Sequence, residues 1–482
     1  MTATEFLCNL LLHTSYEDIP EAVTGIAKER ILDTVGVILA GAVEPAGAGR
    51  ITIELVRDLG GKPIATVIGG GFSTSAPHAA FANGTSAATL EYDDASTYTV
   101  CHYSGALVPA VLAMGEMTSA SGKELLATYV LASEIGTRIG ACLGGTYFFD
   151  RGFHPVGTWP CLGTAAAAAK LLNCNLDQTR MALGIAASTA GGIRRAYGTH
   201  TKPSHSGNAA RNGIVAAMLA KKGFTAHPDI LDPDPGAPPK THGAFSFPAV
   251  FSGDGKYDVN KLTDRLGESY TLLDQPVTTH FHPGATGTAV FIELAINMMR
   301  RHSFTADEVE KVEVKATRDW INGMSPFMSP ETGDQARFSG PYQIAIALLD
   351  GRVGIEQHRE ARVHSPDVRE LMQRVHISEV QGSEDITRRI EVTGDVTKSG
   401  LGELTIRLRD GRAFSEKGEQ PKGSGELPLR RQDLLDKYRD CARRVLSSVR
   451  VARSIGMIEN MEHLPHISEL MYVLKGRGRG RG

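Results

Sequence analysis

Two alanine-rich runs, residues 163–172 and 181–188, constrain this chain more than any other feature. Helices built from such residues have smooth faces and can approach one another closely. Much the same texture extends from residue 1 to about 225. Residues 26–40 carry apolar side chains at helical spacing, and 85–90 and 106–117 are small and apolar. Ser121 and Glu124 form a capping-box pattern ahead of Leu125 and Leu126, which marks a helix start. Alternating strand patterns are scarce here, and aromatic residues make up only 6% of the whole chain. A packed helical domain is expected.

The pattern breaks at Asp232-Pro233-Asp234-Pro235-Gly236-Ala237-Pro238-Pro239, which cannot continue a helix and reads as an exposed loop. Beyond it, Thr305 and Glu308 form a second capping box leading into 310–315, which alternates like a strand. Segments 375–380, 387–392 and 403–409 alternate too, and Asp410-Gly411 is a hairpin-type turn. After Leu427-Pro428, residues 432–455 return to an amphipathic helical pattern. The expected fold class is mainly α with a second, α/β (α+β) domain. An all-helical domain over 1–272 is completed by 413–474, with a smaller α/β domain over 273–412 and a flexible basic tail at 475–482.

A chain of 482 residues exceeds one ordinary core, which agrees with two domains. The net charge of −3 supplies no field that calls for nucleic acid or an anionic membrane. No uninterrupted apolar run reaches the ~18 residues a membrane span needs. The first twelve residues lack a basic segment and carry Asn9, unlike a secretory signal or an Arg-rich transit peptide. A cytoplasmic protein is expected. Cys8, Cys101, Cys142, Cys161, Cys174 and Cys441 show no Cys-x-x-Cys spacing and are expected as reduced core thiols. No phosphate loop, dinucleotide fingerprint or Gly-x-Ser-x-Gly elbow occurs, which disfavours nucleotide chemistry and serine hydrolysis. Gly69-Gly70-Gly71 after the strand-like 65–68 is expected to be a turn.

Four segments carry chemistry. Lys202 and His205 stand three residues apart at the entrance to a helix expected from His205 onward, where backbone N–H groups and the dipole favour an anion. A lysine brings a full charge, and a histidine can exchange a proton near neutral pH. Glu91, Asp93 and Asp94 crowd three carboxylates into four residues, and His102 follows. Such crowding raises at least one pKa if the groups are buried together; the plain alternative is a solvated helix end. His154 precedes Pro155, which biases it to an extended loop or a helix entrance. His280 and His282 form a His-x-His pair, but no cysteine or acidic residue lies close in sequence, so a metal site is not expected.

Taken in order, these segments resemble the MmgE/PrpD family, which includes 2-methylcitrate dehydratase and cis-aconitate decarboxylase. The resemblance rests on Ala80-Phe-Ala-Asn-Gly-Thr85 with Leu90-Glu-Tyr-Asp-Asp94, and on His102-Tyr-Ser-Gly105 with Val108-Pro-Ala110. Phe153-His-Pro155 and the stretch from Tyr197 to Gly207 follow. Ala336-Arg-Phe-Ser339 with Tyr342, Leu348-Leu-Asp-Gly351 and 434–442 complete the series.

The resemblance implies a helical domain built from both chain ends with an inserted α/β lid, a homodimer, and no metal or other cofactor. It implies a site between the domains for small di- and tricarboxylates. It implies catalytic roles for His102, His154, Lys202, His205, Glu91 and Asp94. Glu91 stands where the family usually has aspartate, and Ala95 replaces a site threonine, with Ser96 and Thr97 as neighbours able to substitute. His280 falls near a site histidine, and His282 and Gln275 are grouped with it as substrate-binding. Gln275 or Asp274 stands in place of a lid lysine, and Trp320 falls near a lid tyrosine. Glutamine offers a neutral donor where lysine offers a charge, which suggests one fewer or a differently placed carboxylate on the substrate. A cofactor-independent lyase, dehydratase or decarboxylase, is expected. An epimerase or isomerase using the same carbanion, or a non-catalytic carboxylate-binding homologue, is the alternative.

Overall fold

The computed structural model describes residues 1–476 apart from 97, 145–147, 149–150, 234–244, 254–255, 276, 382–401 and 419, and apart from the side chain of Asp319. The strand expected at 387–392, most of the proline-rich loop and the tail from 477 lie outside the described residues.

The small residues do what their size permits. Helix Thr201–Lys221 packs against Ala76–Ala88 and Pro160–Leu171. At the first crossing a Cβ on Gly84 would sit 2.8 Å from the Cα of Gly207. At the second, a Cβ on Gly213 would meet the Oγ1 of Thr164 at 2.0 Å. No larger side chain fits at these points without moving a backbone. Helices Glu21–Gly41, Ser104–Thr118 and Gly122–Cys142 enclose the same core. Ser121 caps the last of these reciprocally with Glu124, as expected from the sequence. Residues 65–68 and the glycines after them form a small hairpin, Ala65–Val67 with Phe72–Thr74. The amides of Gly69 and Gly71 donate to the carbonyls of Leu474 and Lys475, which ties the chain end to this hairpin.

A second core surrounds a four-stranded sheet. Its strand order is Val375–Glu379, Val309–Ala316, Gly402–Leu408, Ala413–Gly418. The first pair is parallel and the other two are antiparallel. Helices Ala289–His302 and Gly340–Asp350 bury one face of it, through residues such as Phe291, Ile292, Ile344 and Leu348. Thr305 and Glu308 form their capping box at the entrance to this sheet.

The structure shifts both ends of the expected second domain. Ala413–Gly418 is a strand of that sheet, so the α/β part runs past residue 412. At the other end, Val277–Thr278 pairs with Ala95–Ser96 of the helical part. Backbone pairing, invisible to local alternation, decides both. The amphipathic pattern over 432–455 is two helices, Arg431–Ala442 and Ser448–Glu459, with Ser447 capping the second. Both return to the first core through Leu434, Leu435, Val451 and Ile455. A small cluster of Val37, Ala40, Leu90, Tyr92, Cys441 and Ile355 joins the two parts. The six cysteines are buried and unpaired with one another. Among the described residues, no helix is long and apolar enough to cross a membrane.

Candidate active site

Helix Thr201–Lys221 starts four residues earlier than the sequence suggests, with His200 as its N-cap. Lys202 and His205 therefore stand in its first two turns, and residues three apart on a helix are neighbours. The Lys202 ammonium donates to both carboxylate oxygens of Glu91. Lys202 is 3% exposed and Glu91 5%, so the pair is closed off from water. The ammonium also lies 5.7 Å from the ring centre of Tyr197 and 5.8 Å from that of Phe338. These two rings stack at 5.3 Å. Phe338 belongs to the second part of the chain, so the site lies where the two parts meet.

The loop that carries Glu91 is held from several sides. Glu91 has φ +49°, a left-handed conformation costly for a residue with a side chain. Its carbonyl accepts from the amide of Gly284 at 2.8 Å, a contact that fixes the turn. From helix Arg431–Ala442, the ammonium of Lys437 donates to the carbonyl of Tyr92 at 2.8 Å and pairs with buried Asp33 at 2.7 Å. It also lies 4.1 Å from the Tyr92 ring centre. Helix Arg431–Ala442 thus braces the loop that presents Glu91.

Four imidazoles surround the ion pair. His154 enters on an extended backbone whose amide donates to Gly192, and its Nδ1 lies 2.7 Å from the Nδ1 of His205. One ring of that pair donates and the other accepts. His102 and His280 meet edge to face with ring centres 5.6 Å apart. His280 faces the Glu91 carbonyl through Nδ1 at 3.3 Å and the hydroxyl of Thr286 through Nε2 at 2.7 Å. Burial, reinforced by the charge of Lys202, pushes His102 and His205 down to about 4. The same two causes push His154 well below the usual range; for His280 burial comes first and His102 second. The rings are neutral at pH 7 and can accept or share protons.

The structure brings Glu91, His102, His154, Lys202, His205 and His280 together. It does not bring the other candidates into the same cluster. Asp94 turns away and accepts from the hydroxyl of Ser104 at 2.6 Å. With Gln275, Arg30 and Tyr129 it lines a separate cavity of about 20 Å³. Gln275 is thus a neighbour of Asp94. His282 points its Nδ1 at the carbonyl of Val353, 3.0 Å away, and its Nε2 at Glu293, 4.0 Å away. The two histidines of the His-x-His pair have different partners, because alternate residues of an irregular loop need not face one way. Trp320 is core, edge to face with Phe291 at 5.0 Å; the aromatic wall is instead Tyr197 with Phe338. The Ser96 hydroxyl accepts from the amide of Thr99, a local bond that occupies it, and Thr97 lies outside the described residues. Among the described residues, no group of three or more histidine, cysteine, aspartate or glutamate side chains is arranged to hold a metal ion.

Asp93 was missed as a site residue. It is fully buried, and its Oδ1 lies 3.6 Å from the Nδ1 of His102. Burial pushes the carboxyls of both Asp93 and Asp94 up to about 6. Its residue type and its place beside Asp94 were legible in the sequence; which of the two adjacent aspartates faces His102 is set by the path of the loop, in which Glu91 takes a left-handed conformation.

Comparison with known families matches the MmgE/PrpD N-terminal domain to residues 5–246 and the MmgE/PrpD C-terminal domain to residues 282–463. The chain belongs to the MmgE/PrpD family. The C-terminal domain match includes the helices Arg431–Ala442 and Ser448–Glu459, which pack into the first core. Among curated relatives, the mouse (Mus musculus) cis-aconitate decarboxylase is 29% identical over 407 residues, covering 83% of this chain and 78% of that protein. The human (Homo sapiens) cis-aconitate decarboxylase is 29% identical over 409 residues, covering 83% and 79%. The Aspergillus terreus cis-aconitate decarboxylase is 25% identical over 489 residues, covering 98% and 95%.

Proposed function

We propose that this protein is a cofactor-independent lyase that dehydrates or decarboxylates a small di- or tricarboxylate such as 2-methylcitrate or cis-aconitate. The observation that carries the proposal is the convergence of Lys202, Glu91 and four neutral imidazoles at the junction of the two cores. A substrate carboxylate competes with Glu91 for the ammonium of Lys202, through charge-assisted bonds of the same kind. His205 stands beside it as a further donor. A polyanion brought among these rings opposes the field of Lys202 and favours the imidazolium form. The substrate thereby raises the proton affinity of the groups that act on it.

In decarboxylation, the bond to the departing carboxylate breaks and its electron pair delocalises into a neighbouring carboxylate as an enediolate-like species. An imidazolium then gives its proton to carbon. In dehydration, an imidazole takes the C–H proton, the C–O bond breaks, and a second, protonated ring supplies the proton that leaves with the hydroxyl as water. Both routes need charge stabilisation where the enediolate forms, which Lys202 supplies. His102 or His154 moves the proton. The family resemblance supports a homodimer.

The test is a thermal-shift screen with citrate, 2-methylcitrate, cis-aconitate and simple dicarboxylates, followed by mass analysis of the products. Loss of water or of carbon dioxide from one of them is expected. Solvent-proton exchange without a change in composition would instead identify an epimerase or isomerase. Full turnover by both His102→Ala and His154→Ala would sink the assignment.

A further inference from the structure

A buried carboxylate without a hydrogen bond is rare and costly, and each one calls for an explanation. The other acids beside the site are provided for. Glu91 has Lys202, Asp94 has Ser104, and Asp33 has Lys437. Asp93 differs: it is fully buried, neither of its carboxylate oxygens has a hydrogen-bond partner among the described residues, and, unlike Asp33, whose oxygens also lack a complete hydrogen bond, it has no lysine or arginine at ion-pair distance among them. The Nδ1 of His102 is buried and unpartnered as well, and it lies 3.6 Å from the Oδ1 of Asp93. The two groups face each other, and the backbone of Asp93 and Asp94 also lies against the ring.

The surroundings keep that contact available. Gly105 opens the next helix beside it, and a Cβ there would come 2.8 Å from the Oδ2 of Asp93. The unpartnered hydroxyl of Ser206 lies 3.2 Å from the same point. His102 also has two unlike edges. Its Nδ1 is buried against Asp93, while the side chain as a whole keeps 18% of its surface exposed and meets His280 edge to face.

We propose that Asp93 is the positioning carboxylate of His102: it accepts a hydrogen bond from the Nδ1–H, fixes the ring's tautomer, and leaves Nε2 as the nitrogen that exchanges protons with substrate. This rests on the lyase function proposed above. A carboxylate behind a histidine selects the tautomer and stabilises the imidazolium that forms. A separation of 3.6 Å is loose for a hydrogen bond, and such contacts tighten when substrate binds. Charges facing Asp93 come from the packed elements: Lys202 from Thr201–Lys221, Lys437 from Arg431–Ala442, and Asp33 from Glu21–Gly41. The two lysines favour the ionised form that the role requires, and Asp33 opposes it. Asp93 itself does not touch substrate.

The test uses the full chain labelled with ¹⁵N-histidine, with His102 assigned by loss of its signals in His102→Gln. The wild type is expected to hold His102 protonated on Nδ1 at neutral pH, and Asp93→Asn to lose that preference. With cis-aconitate, Asp93→Asn is expected to lower kcat by about 100-fold or more, while KM changes less than about threefold. Asp93→Glu is expected to recover part of the loss. An Nε2-protonated His102 in the wild type would overturn the proposal, and so would an unchanged tautomer in Asp93→Asn. The wild-type tautomer decides the matter even if the variant fails to fold. Absence of turnover on every polycarboxylate would count against the lyase function alone, since the tautomer is read without substrate.

Discussion

Lys202 and Glu91, 111 residues apart in sequence, form a buried bidentate ion pair that joins the start of one helix to a loop held in a left-handed turn. Removing either partner leaves the other charge buried and uncompensated, which costs about 3–5 kcal/mol. Lys202→Met and Glu91→Gln are each expected to lower thermal stability strongly. The double variant is expected to recover most of the stability, because neither charge remains. Turnover should stay absent from both Lys202→Met and the double variant. Thermal melts and product assays on the three variants measure the coupling; additive losses in stability would contradict it.

Lys437 lies outside the cluster yet braces it. Its ammonium joins Asp33 to the carbonyl of Tyr92, the residue after Glu91. Lys437→Met is expected to destabilise the fold by about 3–5 kcal/mol and to weaken turnover by loosening the loop. Adding Asp33→Asn should return part of the stability but not the activity, since the Tyr92 carbonyl still lacks its donor. Denaturant melts beside steady-state rates separate the two effects.

Gly207 sits two residues after His205, where a Cβ would meet the carbonyl of Phe81 at 2.3 Å and the hydroxyl of Thr85 at 2.4 Å. Gly207→Ala must push its helix away from Ala76–Ala88 and carry Lys202 and His205 with it. The expected cost is about 1–3 kcal/mol, with a loss of turnover larger than stability alone explains. A kcat equal to that of the wild type would show that the crossing does not set the site.

Asp94 supplies a pH signature. Burial raises its carboxyl from 3.8 to about 6, so the folded state holds a proton that the unfolded chain releases first. The associated stability is fully present below pH 4 and is lost as pH rises through about 6. Asp94→Asn removes that loss. The variant is expected to match the wild type near pH 4 and to exceed it by up to about 3 kcal/mol above pH 7. Melts across that range check the sign; a variant less stable at pH 8 than at pH 4, relative to wild type, contradicts it.

Much of the helical part was legible. Alanine-rich runs, the Ser121–Glu124 box and the absence of alternation gave helices within a few residues of their true ends. Strands at 309–316, 375–379 and 402–408 were legible from alternation, because each has one face on the core. The strand Ala413–Gly418 was not: it is an edge strand, half exposed, with Glu416 and Lys417 in it, and its membership rests on backbone pairing. The break at Ser447 was hidden inside a continuous amphipathic pattern.

For the site, residue types and order pointed to Glu91, His102, His154, Lys202, His205 and His280. Which neighbours joined them depended on direction. Asp93 and Asp94 are adjacent and chemically identical, yet one faces His102 and the other Ser104. His280 and His282 diverge toward Thr286 and Val353. The sequence by itself determined that the chain has helices able to pack closely and which acids, bases and cations it carries. Only the tertiary structure decided which of them meet, because the path of an irregular loop is set by distant partners such as Gly284 and Lys437 rather than by its own residues.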